Sequence, residues 1–467
     1  MVDHLVTRST TTLGGIVTAP TSAVLTSSMP NPTIDGPGGP RRQDHAVVVT
    51  SDSHAGPLLK EQMRQYCPAK RLREFDEFVE QASPTGPNLP DFRQRAQADP
   101  PASGASTWDN SLTEGGWDMA ARLHDMNYDG IAAEIIFHGL NFGRVEPMPF
   151  GGLFGFEPGD KDLVGLGRHM YNQWLADFVS LEPERHAGLC HLPMWDVKAA
   201  VKEMEWAREA GLRGINFPRP QPGLLPYNHT DWEPFWSAVE ALEMPLTTHA
   251  QSDGGPGSFA FPGQGNLLIG ILEVTGYAAR RALHHLVYGG VFDRHPARKL
   301  VFTEQPGQWW GPMLNEMDSL YIMLGQLDTT LKKMPSDYGR EHLFVGATCL
   351  ARFEAEDAIE EGYAANVLWG SDYPHPEGSY KHPRHADEPS MSKLAMRDTF
   401  AALPTEHAVT MLGANAARVY GFDLAKLQPV ADRIGAPTFE ELATPLEREP
   451  EVPTVRSYAF RRHNAYH

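Results

Sequence analysis

The run Val47-Val48-Val49-Thr50-Ser51-Asp52-Ser53-His54 passes from β-branched residues straight into Asp-x-His. Such residues favour a strand, and a carboxylate emerging beside an imidazole is an unusual way to end one. Residues i and i+2 of a strand share a face, so Asp52 and His54 can converge on one point. A hard carboxylate with a borderline imidazole suits zinc, iron or manganese. Far along the chain, Val367-Leu368-Trp369-Gly370-Ser371-Asp372-Tyr373-Pro374-His375 uses the same device. If the first and last strands of a closed barrel are neighbours, Asp372 joins Asp52 and His54 at one mouth.

Between these segments, short apolar runs alternate with polar loops and helical patterns. Candidate strands end near His54, Phe137, Pro193, Phe217, His249, Glu304, Gly346 and Asp372. Eight parallel strands are what a closed barrel requires. Val197, Ala200, Val201, Met204 and Ala207 recur at helical spacing, and Gly211 ends that crossover. The next, Trp232 to Leu242, has Asp231 placed as an N-cap. An open doubly wound sheet is the rival, but it carries a Gly-rich phosphate loop after its first strand. Asp52-Ser53-His54-Ala55-Gly56 is not such a loop.

The expected class is therefore α/β: a (β/α)8 TIM barrel over residues 44–423, with insertions on its C-terminal face and extended termini. The insertions are placed at 55–117 and 138–165, where barrels build their sites, and their aromatics point to a bulky or cyclic small-molecule substrate. Residues 1–43, rich in Ser, Thr, Pro and Gly, are expected to form a low-order tail. Residues 424–467 are expected to pack outside the barrel or against a partner.

Composition narrows the function classes. The 59 acidic against 40 basic residues give a net charge of −19, which opposes non-specific binding to nucleic acid or to an anionic membrane. No stretch approaches the about 18 apolar residues of a membrane span. Cys67, Cys190 and Cys349 are far apart and form no Cys-x-x-Cys pair, so a disulfide framework is not expected and a reducing cytoplasm fits. A homodimer or higher homo-oligomer is expected from the long termini.

Three further residues complete the candidate site. His249 ends Met244-Pro245-Leu246-Thr247-Thr248-His249 and is read as a metal ligand, against the plainer alternative of a hydrogen-bonded loop histidine. Glu304 ends Lys299-Leu300-Val301-Phe302-Thr303-Glu304. A carboxylate there is costly to bury unless paired or metal-bound, so it is read as ligand or general base, or else as half of a salt bridge. Asp372 is read as both metal ligand and proton carrier, against a turn-forming Asp. His375, Arg122 and Trp309 are weaker substrate-contact candidates, with structural roles as the alternative for each.

These motifs resemble the amidohydrolase superfamily, in the amidohydrolase-related branch of aminocarboxymuconate-semialdehyde decarboxylase-like enzymes. The resemblance runs from about Val47 to Asp423 and includes the closing segment Met411-Leu412-Gly413-Ala414-Asn415-Ala416-Ala417-Arg418-Val419-Tyr420-Gly421. It implies a barrel holding one or two divalent ions, with Asp52, His54, His249 and Asp372 as the shell. Three departures stand out. Asp52 replaces the usual first His or Glu. Glu304 replaces the histidine that decarboxylase-like members carry after strand six. Gly214-Ile215-Asn216-Phe217 has no bridging lysine. The leading expectation is hydrolysis of an amide, ester or thioester of a small organic acid by metal-activated water. A non-oxidative decarboxylase is the alternative, and an inactive barrel serving as a binding protein is a third.

Overall fold

The computed structural model describes residues 41–82, 110, 113–139, 147–151, 160–220, 223–249, 264, 278–305, 307–375, 378–383, 385, 387–448, 450 and 460–461. Residues 1–40 of the expected tail, the Pro-rich stretch of the first insertion and most of the second therefore lie outside the described residues. The strands are β1 (Val49–Thr50), β2 (His54–Ala55), β3 (Ala133–His138), β4 (His186–Cys190), β5 (Gly214–Asn216), β6 (Leu246–His249), β7 (Leu300–Thr303), β8 (Leu343–Thr348) and β9 (Val367–Gly370). All pair in parallel in the order β1-β3-β4-β5-β6-β7-β8-β9, with β2 a second short piece on β3. The first barrel strand is thus broken in two at Ser51–Ser53.

Three backbone hydrogen bonds join the ends of this series. Ser51 N donates to Trp369 O at 2.8 Å, Asp372 N to Asp52 O at 3.0 Å, and His54 N to Tyr373 O at 2.6 Å. Ser53 and Tyr373 also form a parallel bridge. The first and last strands are neighbours, and the sheet closes as a (β/α)8 barrel.

Alternation along each strand sorts its side chains. Ile135, Phe137, Ala187, Leu189, Val301, Phe344 and Leu368 share one buried apolar cluster, the barrel interior. Ile136, Cys190, Ile215, Leu300, Phe302, Val345 and Trp369 point the other way, into a larger cluster with the surrounding helices. The helix Val197–Glu209 forms on the expected spacing, with Asp196 accepting from the N–H groups of Lys198 and Ala199. The next crossover differs from expectation. A 3₁₀ turn, Thr230–Trp232, precedes the helix Glu233–Ala241, and His229 rather than Asp231 caps that turn.

Beyond the barrel, Leu427, Ala431 and Ala436 join the interior cluster at the strand beginnings, where Ala46 N donates to Pro437 O at 2.9 Å. The closing helix approaches the first strand so tightly that a Cβ at Gly413 would overlap the carbonyl oxygen of Val47. Among the described residues, no helix is long and apolar enough to cross a membrane.

Candidate metal centre

Four side chains from three distant strands meet at the C-terminal mouth. His54 Nε2 lies 3.3 Å from Asp52 Oδ1 and 3.3 Å from Asp372 Oδ1. His249 Nε2 lies 3.5 Å from Asp52 Oδ1. Two ligands about 2.1 Å from one cation, at tetrahedral or octahedral angles, stand about 3.0–3.4 Å apart. The two 3.3 Å spacings fall in that range, and the 3.5 Å spacing of His249 from Asp52 lies just beyond it. Asp52, His54 and His249 form one group able to hold an ion, and His54, Asp372 and His375 an overlapping second.

The local backbone explains the convergence. The break in the first strand lets Asp52 and His54 turn inward together. Asp372 and Glu304 follow β9 and β7 in left-handed conformations, with φ of 58° and 57°. That geometry costs a non-glycine residue about 1–2 kcal/mol, and it re-aims each carboxylate away from the strand's alternation.

The donor atoms fit a divalent cation. Asp52 Oδ1, both Asp372 carboxylate oxygens and His54 Nε2 are buried and make no hydrogen bond of regular geometry; Asp52 Oδ1, Asp372 Oδ1 and His54 Nε2 meet only one another and the His249 and His375 rings, at 3.1–3.5 Å. The remaining atoms of these side chains are held from outside. Asp52 Oδ2 accepts a short hydrogen bond from Thr348, at the end of β8. His54 Nδ1 lies 3.4 Å from His138 O, the geometry that turns Nε2 toward the carboxylates. His249 Nδ1 lies 3.5 Å from Glu304 Oε2, leaving Nε2 on the Asp52 side.

Electrostatics tell the same story without the ion. Burial lowers the pKa of His54, but its contacts with Asp372 and Asp52 outweigh that and push it up to about 10. Burial likewise raises the Asp52 carboxyl, yet His249 and His54 bring it well below the ordinary carboxylate range. Asp372 is lowered too, with His375 outweighing its burial. Burial holds His249 below the usual imidazole value. In the metal-free state a proton on His54 supplies the positive charge these carboxylates demand.

The other anticipated residues sort unevenly. His375 belongs to the site: its Nδ1 is 3.1 Å from Asp372 Oδ1, and its ring stacks on His54 with centroids 4.1 Å apart. Glu304 is in neither of the two groups able to hold an ion; its carboxylate faces His249 Nδ1 at 3.5 Å, on the side of that ring away from Asp52. Arg122 is not a substrate contact. Its five N–H donors reach Glu134 Oε1 and Oε2, His54 O, Gly115 O and Ser53 Oγ, at 2.6–3.0 Å, which leaves none for a ligand. Trp309 is buried, its Nε1 donating to Gln305 O at 2.7 Å and its ring against Phe302, so it is core.

Some residues that hold this centre went unread in the sequence. Glu134 could have been noticed as a carboxylate inside the apolar run Ala133-Glu134-Ile135-Ile136-Phe137. It accepts from Arg122, Ser53 and His186. Asn110 Nδ2 donates to Pro374 O at 3.1 Å and Tyr380 O at 3.0 Å, pinning the His375 loop. Neither Asn110 nor Thr348 lies in any local pattern that marks it.

A family model described as "Amidohydrolase" matches residues 146–422. The chain belongs to that family. Within it, the relatives place the chain in the aminocarboxymuconate-semialdehyde decarboxylase-like branch. The matched stretch holds His249, Glu304 and Asp372, whereas Asp52 and His54 precede it. A gamma-resorcylate decarboxylase of Polaromonas sp. is 27% identical over 219 residues, 44% of this chain and 64% of that protein. The chain thus spans less than two thirds of that relative's length. Among solved structures, 5-carboxyvanillate decarboxylase from Sphingomonas paucimobilis superposes with a TM-score of 0.55 at 18% identity, over 81% of this chain and all of that one. A dihydroxybenzoic acid decarboxylase from Polaromonas sp., solved with manganese and 2-nitroresorcinol, gives 0.51 at 18% identity over 80% and 97%. At these identities the structural likeness speaks for the fold alone.

Proposed function

We propose that this amidohydrolase-family chain is a metal-dependent, non-oxidative decarboxylase of a hydroxylated aromatic acid. Asp52, His54, His249 and Asp372 would hold one divalent cation, and manganese suits a shell of two carboxylates and two imidazoles. The observation that carries the metal reading is the set of buried donor atoms, without hydrogen bonds of regular geometry, facing one another at 3.3 Å. What favours decarboxylation over the hydrolysis expected first is the gamma-resorcylate decarboxylase relative, together with a second from Rhizobium radiobacter, 25% identical over 273 residues. Three buried free cysteines suit a reducing compartment.

When bound, the cation would supply Lewis-acid stabilisation of the substrate's negative charge. The chain's residues do the rest. Phe137, whose ring sits 4.8 Å from that of His249, packs beneath the site and backs the His249 imidazole with an apolar ring. Asp372 and His375, 3.1 Å apart, form a carboxylate–imidazole pair that holds a proton and delivers it to the carbon bearing the carboxylate. The carbon–carbon bond then breaks, its electron pair returns to the ring, and CO₂ leaves. One proton is consumed for each CO₂ released.

The test incubates manganese-reconstituted protein with a panel of hydroxybenzoates in D₂O. The expected result is CO₂ with one deuterium at the vacated ring position. Cleavage of an amide or ester from a parallel panel, with no acid losing CO₂, would overturn the proposal in favour of hydrolysis.

A further inference from the structure

Arg122 lies on the helix Met119–Asp129, outside the barrel, and is fully buried. A buried guanidinium needs every N–H satisfied, and here the partners are unusually informative. Nη2 donates to Ser53 Oγ at 2.8 Å, between Asp52 and His54 in the chain. Nη1 donates to the carbonyl oxygen of His54 itself, also at 2.8 Å, and to Gly115 O at 3.0 Å. Nε and Nη2 grip Glu134 in a two-pronged ion pair at 2.6 and 2.7 Å. The face of the guanidinium lies 4.8 Å from the centre of the Tyr373 ring, on the residue after Asp372. One turn along the same helix, Asp125 Oδ2 accepts from the Tyr373 hydroxyl at 2.7 Å.

The contacts with Ser53, His54 and Tyr373 fall on the seam where the barrel's first and last strands meet. The first strand is broken there: Ser51–Ser53 keep single backbone hydrogen bonds to Trp369, Asp372 and Phe137, but no regular strand ladder runs through them. A broken strand carrying two ligands needs another source of rigidity, since ligand directions must hold to a fraction of an ångström. Glu134, itself anchored by His186 Nδ1 at 2.9 Å and by Ser53, ties the guanidinium to the first regular strand of the wall.

We infer that Arg122, with Ser53 and Asp125, is a positioning brace that sets the separation of the Asp52–His54 and Asp372 halves of the metal centre across the barrel seam, and so sets its affinity and coordination geometry. The inference rests on the proposed metal site. It concerns a residue that touches neither ion nor substrate. Lysine keeps the charge but cannot fork, stack in a plane or reach five acceptors.

The experiment titrates manganese into metal-free wild-type, Arg122→Lys, Ser53→Ala and Arg185→Lys proteins, and compares visible spectra after cobalt loading. Arg185 is the control, a buried arginine bound to Ala132 O and Ile131 O at the beginnings of the strands. Arg122→Lys is expected to weaken manganese binding by about 10–100-fold, and Ser53→Ala by about tenfold, the range for supporting residues around metal ligands. Both should shift the cobalt spectrum. Arg185→Lys should lower the melting temperature and leave affinity and spectrum as in wild type. Arg122→Lys and Ser53→Ala proteins that bind manganese as wild type does would overturn the brace. If Arg122→Lys does not fold, the small Ser53→Ala change decides alone. Wild-type protein binding no manganese would remove the metal reading and this inference with it, a failure visible without any variant.

Discussion

The two sides of the barrel are built differently. From β6 to β9 the wall is regular: four-residue registers run Leu246↔Leu300 to His249↔Thr303, Leu300↔Leu343 to Thr303↔Gly346 and Val345↔Val367 to Thr348↔Gly370. Leu300, Val301, Phe302 and Leu368 fill both of its faces. The seam, where β9 meets the broken first strand, has two-residue fragments, hydroxyls at Thr50, Ser51, Ser53 and Ser371, and a buried arginine–glutamate pair. Apolar burial is non-directional and scales with area, so the wall can supply stability without fixing any single atom. Hydrogen bonds and ion pairs are directional and contribute little net stability, so the seam suits the task of placing ligands. The two jobs overlap only at the wall's C-terminal ends, where His249 closes β6, Thr348 closes β8 and Asp372 follows β9.

That division can be broken experimentally, beginning with its strongest consequence. Asp372→Ala on the seam should lower turnover by about a thousandfold or more, equivalent to about 4 kcal/mol of barrier, and release the metal. Elemental analysis and a thermal melt check it, and a folded variant with full metal content contradicts it. Leu300→Ala in the wall should do the reverse. A deleted buried leucine costs about 2–5 kcal/mol, read by urea unfolding, whereas manganese affinity at folded concentrations stays near wild type.

The third test uses pH. Metal-free His54 has its pKa raised to about 10, so near neutrality it carries a proton that an incoming cation must displace. Manganese affinity should therefore rise with pH, by about tenfold per unit between pH 6 and 8 for one proton released. Calorimetry in buffers of different ionisation enthalpy counts that proton, and a flat profile would contradict the assignment of His54 as a ligand. The smallest expected effect is that of Glu304→Gln. Glutamine keeps a hydrogen-bonding oxygen behind His249 Nδ1 but loses the charge, so affinity should fall by about tenfold. A loss as large as that of Asp372→Ala would return Glu304 to the ligand shell.

Much of the centre is legible in the residues because its signals are local. β-branched runs set the strands, and ligand types at the ends of such runs mark the mouth, whatever the intervening loops do. Asp52, His54, His249 and Asp372 each follow a readable strand, and they meet. Glu304 shares that signal, and shares the left-handed turn of Asp372, yet its carboxylate faces the far side of the His249 ring, a placement no local pattern reports. Arg122 misleads for a related reason. An arginine on a helix reads as surface or substrate contact, and only packing against Glu134 and Ser53 reveals that all of its donors are spent.

The order of strands, their parallel sense and the residue types that could bind a cation were determined by the chain alone, since period-2 burial and ligand chemistry are properties of short segments. The tertiary structure decided which carboxylate sits within reach of which imidazole, and which charges are used up in holding the seam. Those outcomes depend on distances between parts of the chain far apart in number, and such distances are fixed only when the barrel closes.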